Sequence, residues 1–355
     1  MKRLACIFPL LFSLISAAES NSREQNVFVL KEVLKPTGLS VGGQFLYVSQ
    51  GRGFLVYRLP DMVFLRQAGI KGEGPGEFRI SPNIRAFSSE VHVTAMGKVM
   101  SFKPGGDFLR ERKIPFRFNP YLYPLLPLGR GFAGFNLERV AGKPGFRFHA
   151  HIYGPDWKDL ALIHRGGAPP VPPPPPPGMT PRKVSWPVAG HYLDLDVWEE
   201  RVYIADTREG FRIRVFDSSG KRVHEIRLNE APKRMTSDFR RGYLAHRRRS
   251  PGWEREKHRL EFRFPEVFPA FFAFRVRDGK IYVVTYKKRE TGYEVISLDL
   301  AGNILGRTYA FAREPFDRLS EAGTPVRDFD IQDGTLYFLR ENGQTENWEL
   351  VTTRL

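Results

Sequence analysis

The sequence predicts an all-β chain folded as a six-bladed β-propeller whose N-terminal strand closes the last blade. Three observations carry this reading: a hydrophobic, often aromatic run that recurs six times, a second strand-like run after each copy, and one strand left over near the start of the chain. The recurring runs are FLYVSQ from Phe45, EVHVTA from Glu90, FAGFNL from Phe132, RVYIAD from Arg201, KIYVVT from Lys280 and TLYFLR from Thr335. Each leads into a partner, respectively FLVYRLP, KVMSFKP, FRFHAHIYG, FRIRVFDSSG, YEVISLDLAGN and WELVTTRL. β-Branched and aromatic residues in short runs separated by glycine, proline and aspartate are the composition of strands and turns. The third unit matches least well.

Successive starts lie 45, 42, 69, 79 and 55 residues apart. The three long intervals contain, in order, a proline tract near residue 170, a basic stretch from about 229 to 264 and a polar segment near 312 to 323. Without them the period is about 40 to 45 residues, the length of one four-stranded blade. A third run, such as FLRQAGI, FLRERKIPF or RVHEIRL, follows the pair in five units, but the sixth ends at Leu355. The surplus strand Val27 to Leu34 is therefore expected to supply the outer strand of the last blade, since an incomplete sheet would leave an unpaired edge.

The first twenty residues, MKRLACIFPLLFSLISAAES, place two cations before a largely apolar stretch from Leu4 to Ile15 and then small residues. This is the pattern of a secretory leader, with cleavage expected after Ala18. The stretch falls short of the roughly 20 residues that span a bilayer, which disfavours an uncleaved anchor, and no other segment is apolar enough to cross a membrane. The expected organisation is a signal peptide over 1–18 and one propeller domain over 19–355, exported to the periplasm or beyond. Cys6, the only cysteine, precedes most of the apolar stretch, unlike a lipid-attachment cysteine. The mature chain then has no thiol to form a disulfide, hold zinc or act as a nucleophile.

Residues 69 to 82, GIKGEGPGEFRISP, fall where the chain must cross from the rim of blade one to the axis of blade two. Glycines permit the turns, Pro75 stiffens them, and Phe78 is placed to fill the wedge between blades. A phosphate-binding loop would end in Gly-Lys-Ser or Gly-Lys-Thr and open a helix, and this stretch does neither. GEGPGEFRISP resembles the linker of NHL-repeat and related bacterial six-bladed propellers. LDLDVWEERVYIADTREGFRIRVFDSSGKRV, residues 193 to 223, is similar to a whole NHL repeat. The resemblance implies the ring, and a family that includes scaffolds, ligand receptors and a few metal-dependent enzymes.

Two insertions depart from a minimal ring. A proline-rich one, about 166–190, carries eight prolines between 169 and 177, a stretch of roughly 28 Å as polyproline II at about 3.1 Å per residue. It reads as a rigid spacer or a disordered loop, or as a docking segment for an aromatic groove. The basic one, about 229–264, holds eleven Lys or Arg against four Asp or Glu between Lys233 and Arg263, including Arg240, Arg241, Arg247, Arg248 and Arg249. The formal net charge is +16 for the whole chain and falls to +14 once Lys2 and Arg3 leave with the leader. In an exported protein this bias points to an acidic protein, an anionic polymer or a lipid surface rather than to nucleic acid, with plain solubility as the alternative.

No G-x-S-x-G, H-E-x-x-H or calcium-loop pattern occurs, and no cofactor or metal is implied. His149 and His151 lie two apart on an expected strand, so both face one side, but no third metal ligand can be named. The expected ligand site is one mouth of the central channel, near the starts of the inner strands, where the candidates are Arg85, Tyr121, His191, Phe271 and Arg327. Arginines among aromatics suit an anionic or sugar-like ligand. The functional expectation is a binding or interaction module; the alternative is a hydrolase or lyase with a metal at the channel.

Overall fold

The computed structural model describes residues 25–115, 124–139, 146–166, 184–189, 193–249, 253–311 and 328–355. Six four-stranded antiparallel sheets follow one another along the chain, each ordered from an inner strand outward. The inner strands are Pro36–Gly42, Asn83–Ala86, Leu126–Leu128, Leu193–Trp198, Ala273–Arg277 and Phe329–Gln332. The recurring aromatic runs form the second strands, which pack against neighbouring blades on both faces. Phe45–Gln50 is accordingly buried at its four central residues, and Lys280–Arg289 over Ile281 to Tyr286. A strand covered on both faces has no polar side to show, so these runs read as continuous hydrophobic stretches. The outer strand Val63–Ala68 is exposed along most of its length and, like Phe108–Lys113, carries cations that discourage edge-to-edge association.

The last sheet is completed across the termini. Gln25–Leu30 pairs antiparallel with Trp348–Arg354, outermost in a sheet that runs inward through Thr335–Glu341 to Phe329–Gln332. The closing strand ends earlier than the sequence predicts, because the chain turns after Leu30, where the Val33 N–H donates to the Leu30 carbonyl at 3.1 Å. Leu30 and Val33 then fill the seam between blades six and one, in a cluster with Leu339, Leu350, Val41 and Leu55.

Between blades one and two, Phe78 is fully buried and packs with Phe54 and Phe102 in a cluster drawn from both sheets. Gly69, at φ 77°, lies so close to this ring that a Cβ there would sit 2.0 Å from it. The residue must be glycine for both reasons. Lys98 Nζ holds the linker from the next blade, donating to the Gly74 carbonyl at 2.6 Å while pairing with Glu111 at 3.0 Å.

The two insertions, separate in the sequence reading, meet in space. Val184–Pro187 pairs in parallel with Leu260–Arg263, outside the ring. The basic stretch forms the helix Ser237–Arg249 and a short helical turn Trp253–Glu256. Phe239 and Tyr243, one turn apart, seat the long helix on the cluster of blades five and six, with Phe268, Phe272 and Tyr286 beneath. This accessory layer covers the end of blade five at which its inner strand begins. The first 24 residues and the eight-proline tract lie outside the described residues, and no described helix is long and apolar enough to cross a membrane.

Candidate functional site

Alternate residues of an inner strand face the axis. Ser40, Arg85, Asp196, Arg277 and Asp330, from five different blades, converge there, with Asn83, Leu126, Asp194 and Arg275 alongside, around a cavity of about 60 Å³. That space holds a few water molecules at most. Arg85 Nη2 contacts Asp196 Oδ1 at 2.8 Å, and Arg277 bridges Asp196 Oδ2 at 3.2 Å and Asp330 Oδ1 at 2.8 Å. Ser40 Oγ donates to Asp330 Oδ2 at 2.8 Å and accepts from the Ala86 N–H at 3.0 Å. The N–H groups of Val276 and Val41 complete the two carboxylates at 2.8 and 3.1 Å. Burial pushes the Asp196 carboxyl upward, and the charge of Arg275 and the N–H groups of Val276 and Val197 oppose it. Chemically the axis is a chain of charge-assisted hydrogen bonds linking blade to blade.

The candidates from the sequence separate accordingly. Arg85 reaches the axis, where Asp196 takes up its guanidinium. Phe271 is fully buried between blades four and five against Phe211 and Phe274, away from the cavity. Tyr121, His191 and Arg327 lie outside the described residues. His149 and His151 are each engaged by a separate carboxylate, Glu138 at 2.8 Å and Asp159 at 2.8 Å. Among the described residues no group of three His, Cys, Asp or Glu is placed to hold a metal ion. Sequence reasoning missed Asp196, Arg277 and Asp330. The available signal was a charge at alternate positions of LDLDVW, AFRVR and DFDIQ, inner strands whose intervening residues are apolar and buried in the ring.

None of the arginines of the helix lines the axial cavity. Arg240, Arg241, Arg248 and Arg249 are exposed and Arg247 is half-buried. Arg240 stands over the Phe264 ring at 5.8 Å and Arg241 pairs with Asp238. Arg248 and Arg249 form no ion pair with any described residue and sit at the helix C-terminus, where the backbone dipole favours cations.

His92, on the second strand of blade two, has a different fate. Its Nε2 donates to the Leu125 carbonyl of blade three at 2.9 Å, and burial pushes the imidazole down to about 4. The folded state thus resists a proton that the unfolded chain accepts from about pH 6.5 downward. Stability from neutral His92 is full above that value and lost as pH falls toward 4, by about 3 kcal/mol. Denaturant midpoints should fall more between pH 7 and pH 4.5 for the native chain than for His92→Gln; parallel profiles would refute this.

No family model matches the sequence, and no curated protein matches it. Solved structures align with the chain at low identity. The β-propeller domain of Myceliophteria thermophila Cps50 (Swd1) is 11% identical over 94% of this chain and 100% of that one, at a TM-score of 0.39. The Neurospora crassa Pan2 WD40 domain is 10% identical, covering 94% and 96%, at 0.44. Kuenenia stuttgartiensis hydrazine synthase is 10% identical, covering 90% and 83%, at 0.37. Likeness at this level carries no argument about activity. The class of protein, a six-bladed β-propeller closed by its N-terminal strand, rests on the strand pairing itself.

Proposed function

We propose that this chain is an exported, NHL-repeat-like propeller that serves as an interaction module and docks an acidic macromolecular partner through its accessory layer. The observation that carries the reading is the contrast between the two sets of arginines. Those on the axis are spent on carboxylates of other blades, around a cavity too small for a ligand of ordinary size. Four of those on the helix, Arg240, Arg241, Arg248 and Arg249, are exposed above a seat of buried aromatics. The helix has already committed its apolar face to the ring, so it meets a partner with charge and not by insertion into a membrane.

The test is retention of the mature chain on immobilised heparin as a generic polyanion. Retention should weaken steeply with salt, because exposed charges are screened over about 10 Å at 0.1 M. Replacing Arg240, Arg241, Arg247, Arg248 and Arg249 with serine should remove most of it while leaving the melting temperature nearly unchanged. Retention that survives the substitution would place the affinity elsewhere on the basic surface, and a collapse in stability would make the arginines structural. Either result overturns the proposal.

A further inference from the structure

We propose that the groove between blades two and three binds a small carboxylate-bearing molecule, independently of the accessory layer. The groove has a volume of about 450 Å³. That lies within the range of about 300 to 1,000 Å³ usual for small-molecule sites. Arg110 and Arg112, from the outer strand Phe108–Lys113 of blade two, and Arg130, from the turn after Leu126–Leu128 of blade three, line it together with His92 and Phe132.

The acidic groups of the groove are already engaged. Glu90 accepts from Arg110 Nη2 at 2.6 Å and from Ser101 Oγ at 2.7 Å, and Glu111 accepts from Lys98 at 3.0 Å. The cations are engaged less completely. Arg112 Nη1 donates to the Pro155 carbonyl at 2.7 Å, and its guanidinium stands 5.7 Å from the Phe132 ring, which stacks on Trp157 at 4.7 Å. One hydrogen bond and one ring thus fix this guanidinium across the wedge and leave further N–H groups for a ligand. Arg130 makes no hydrogen bond or ion pair with any described residue. Two guanidinium forks lining one groove whose own carboxylates, Glu90 and Glu111, are already paired favour an oxyanion held at two points. Phe132 is buried, so it offers no open ring face on which a neutral sugar could stack.

Calorimetric titration of the whole chain at constant ionic strength tests this, with citrate and succinate as probes and erythritol as the neutral control. Citrate should bind saturably with a Kd of about 1 mM or tighter, and erythritol should not bind. Arg130→Gln, at an exposed turn, should keep the native melting temperature and weaken citrate about tenfold, which is about 1.4 kcal/mol. Arg112→Gln should do the same where it folds; Arg130→Gln alone decides the matter where it does not. The variant lacking the five helix arginines should bind citrate as the native chain does. Absence of saturable citrate binding, an unchanged Kd in Arg130→Gln, or loss of binding in the helix variant would overturn the groove as a site. None of these outcomes bears on heparin retention by the accessory layer.

Discussion

A chain that begins after Leu34 is expected to lose most of its cooperative stability. The deletion removes all six residues of the closing strand, strips Trp348–Arg354 of its outer partner and exposes a sheet edge. It also removes Leu30 and Val33, which are 2% and 3% exposed, from the seam between blades six and one. Truncating one buried leucine typically costs about 2 to 5 kcal/mol, so losing both side chains and the strand approaches the whole stability of about 5 to 15 kcal/mol of a globular domain. Thermal unfolding followed by circular dichroism should show a strongly lowered or broadened transition, and Leu30→Ala should fall between the truncated and native chains. A truncated chain that melts with the native one would show that the ring does not depend on this latch.

The second large effect is expected at the axis. Asp196→Ala leaves the guanidinium groups of Arg85 and Arg277 buried and short of a carboxylate, along with the Val276 N–H that donates to Asp196. Breaking a buried pair by removing one partner costs about 3 to 5 kcal/mol, because the remaining charge cannot return to water. Removing an exposed charge such as Arg248 should cost less than about 1 kcal/mol. Denaturant midpoints of Asp196→Ala and Arg248→Ser, measured side by side, separate the two classes. Equal midpoints would mean that the axial charges are well hydrated and that the channel is open to solvent.

These two expectations draw on different sources of information. The closing strand was legible in the sequence because a ring of equal repeats must balance its strands, and one surplus strand at one terminus matched one deficit at the other. The linker was legible for a local reason: glycines, Pro75 and Phe78 carry the demands of a tight crossing within fourteen residues. Phe78 lies in the wedge where that reasoning puts it.

The axis was not legible in the same way. Arg85 was singled out for its place near the start of an inner strand, but its carboxylate partner lies on another blade, as do the partners of Arg277 and of Ser40. No local pattern links residues that meet only when the ring closes. The same holds for the parallel pairing of Val184–Pro187 with Leu260–Arg263, which joins two insertions whose compositions have nothing in common. By itself, then, the sequence determined the repeat, the blade count, the closing strand and the sign of the charge, because periodicity and composition are properties of the chain. Which charges are paired inside the ring and which are exposed at the surface was decided only by the tertiary structure, because burial and pairing depend on residues brought together from distant blades.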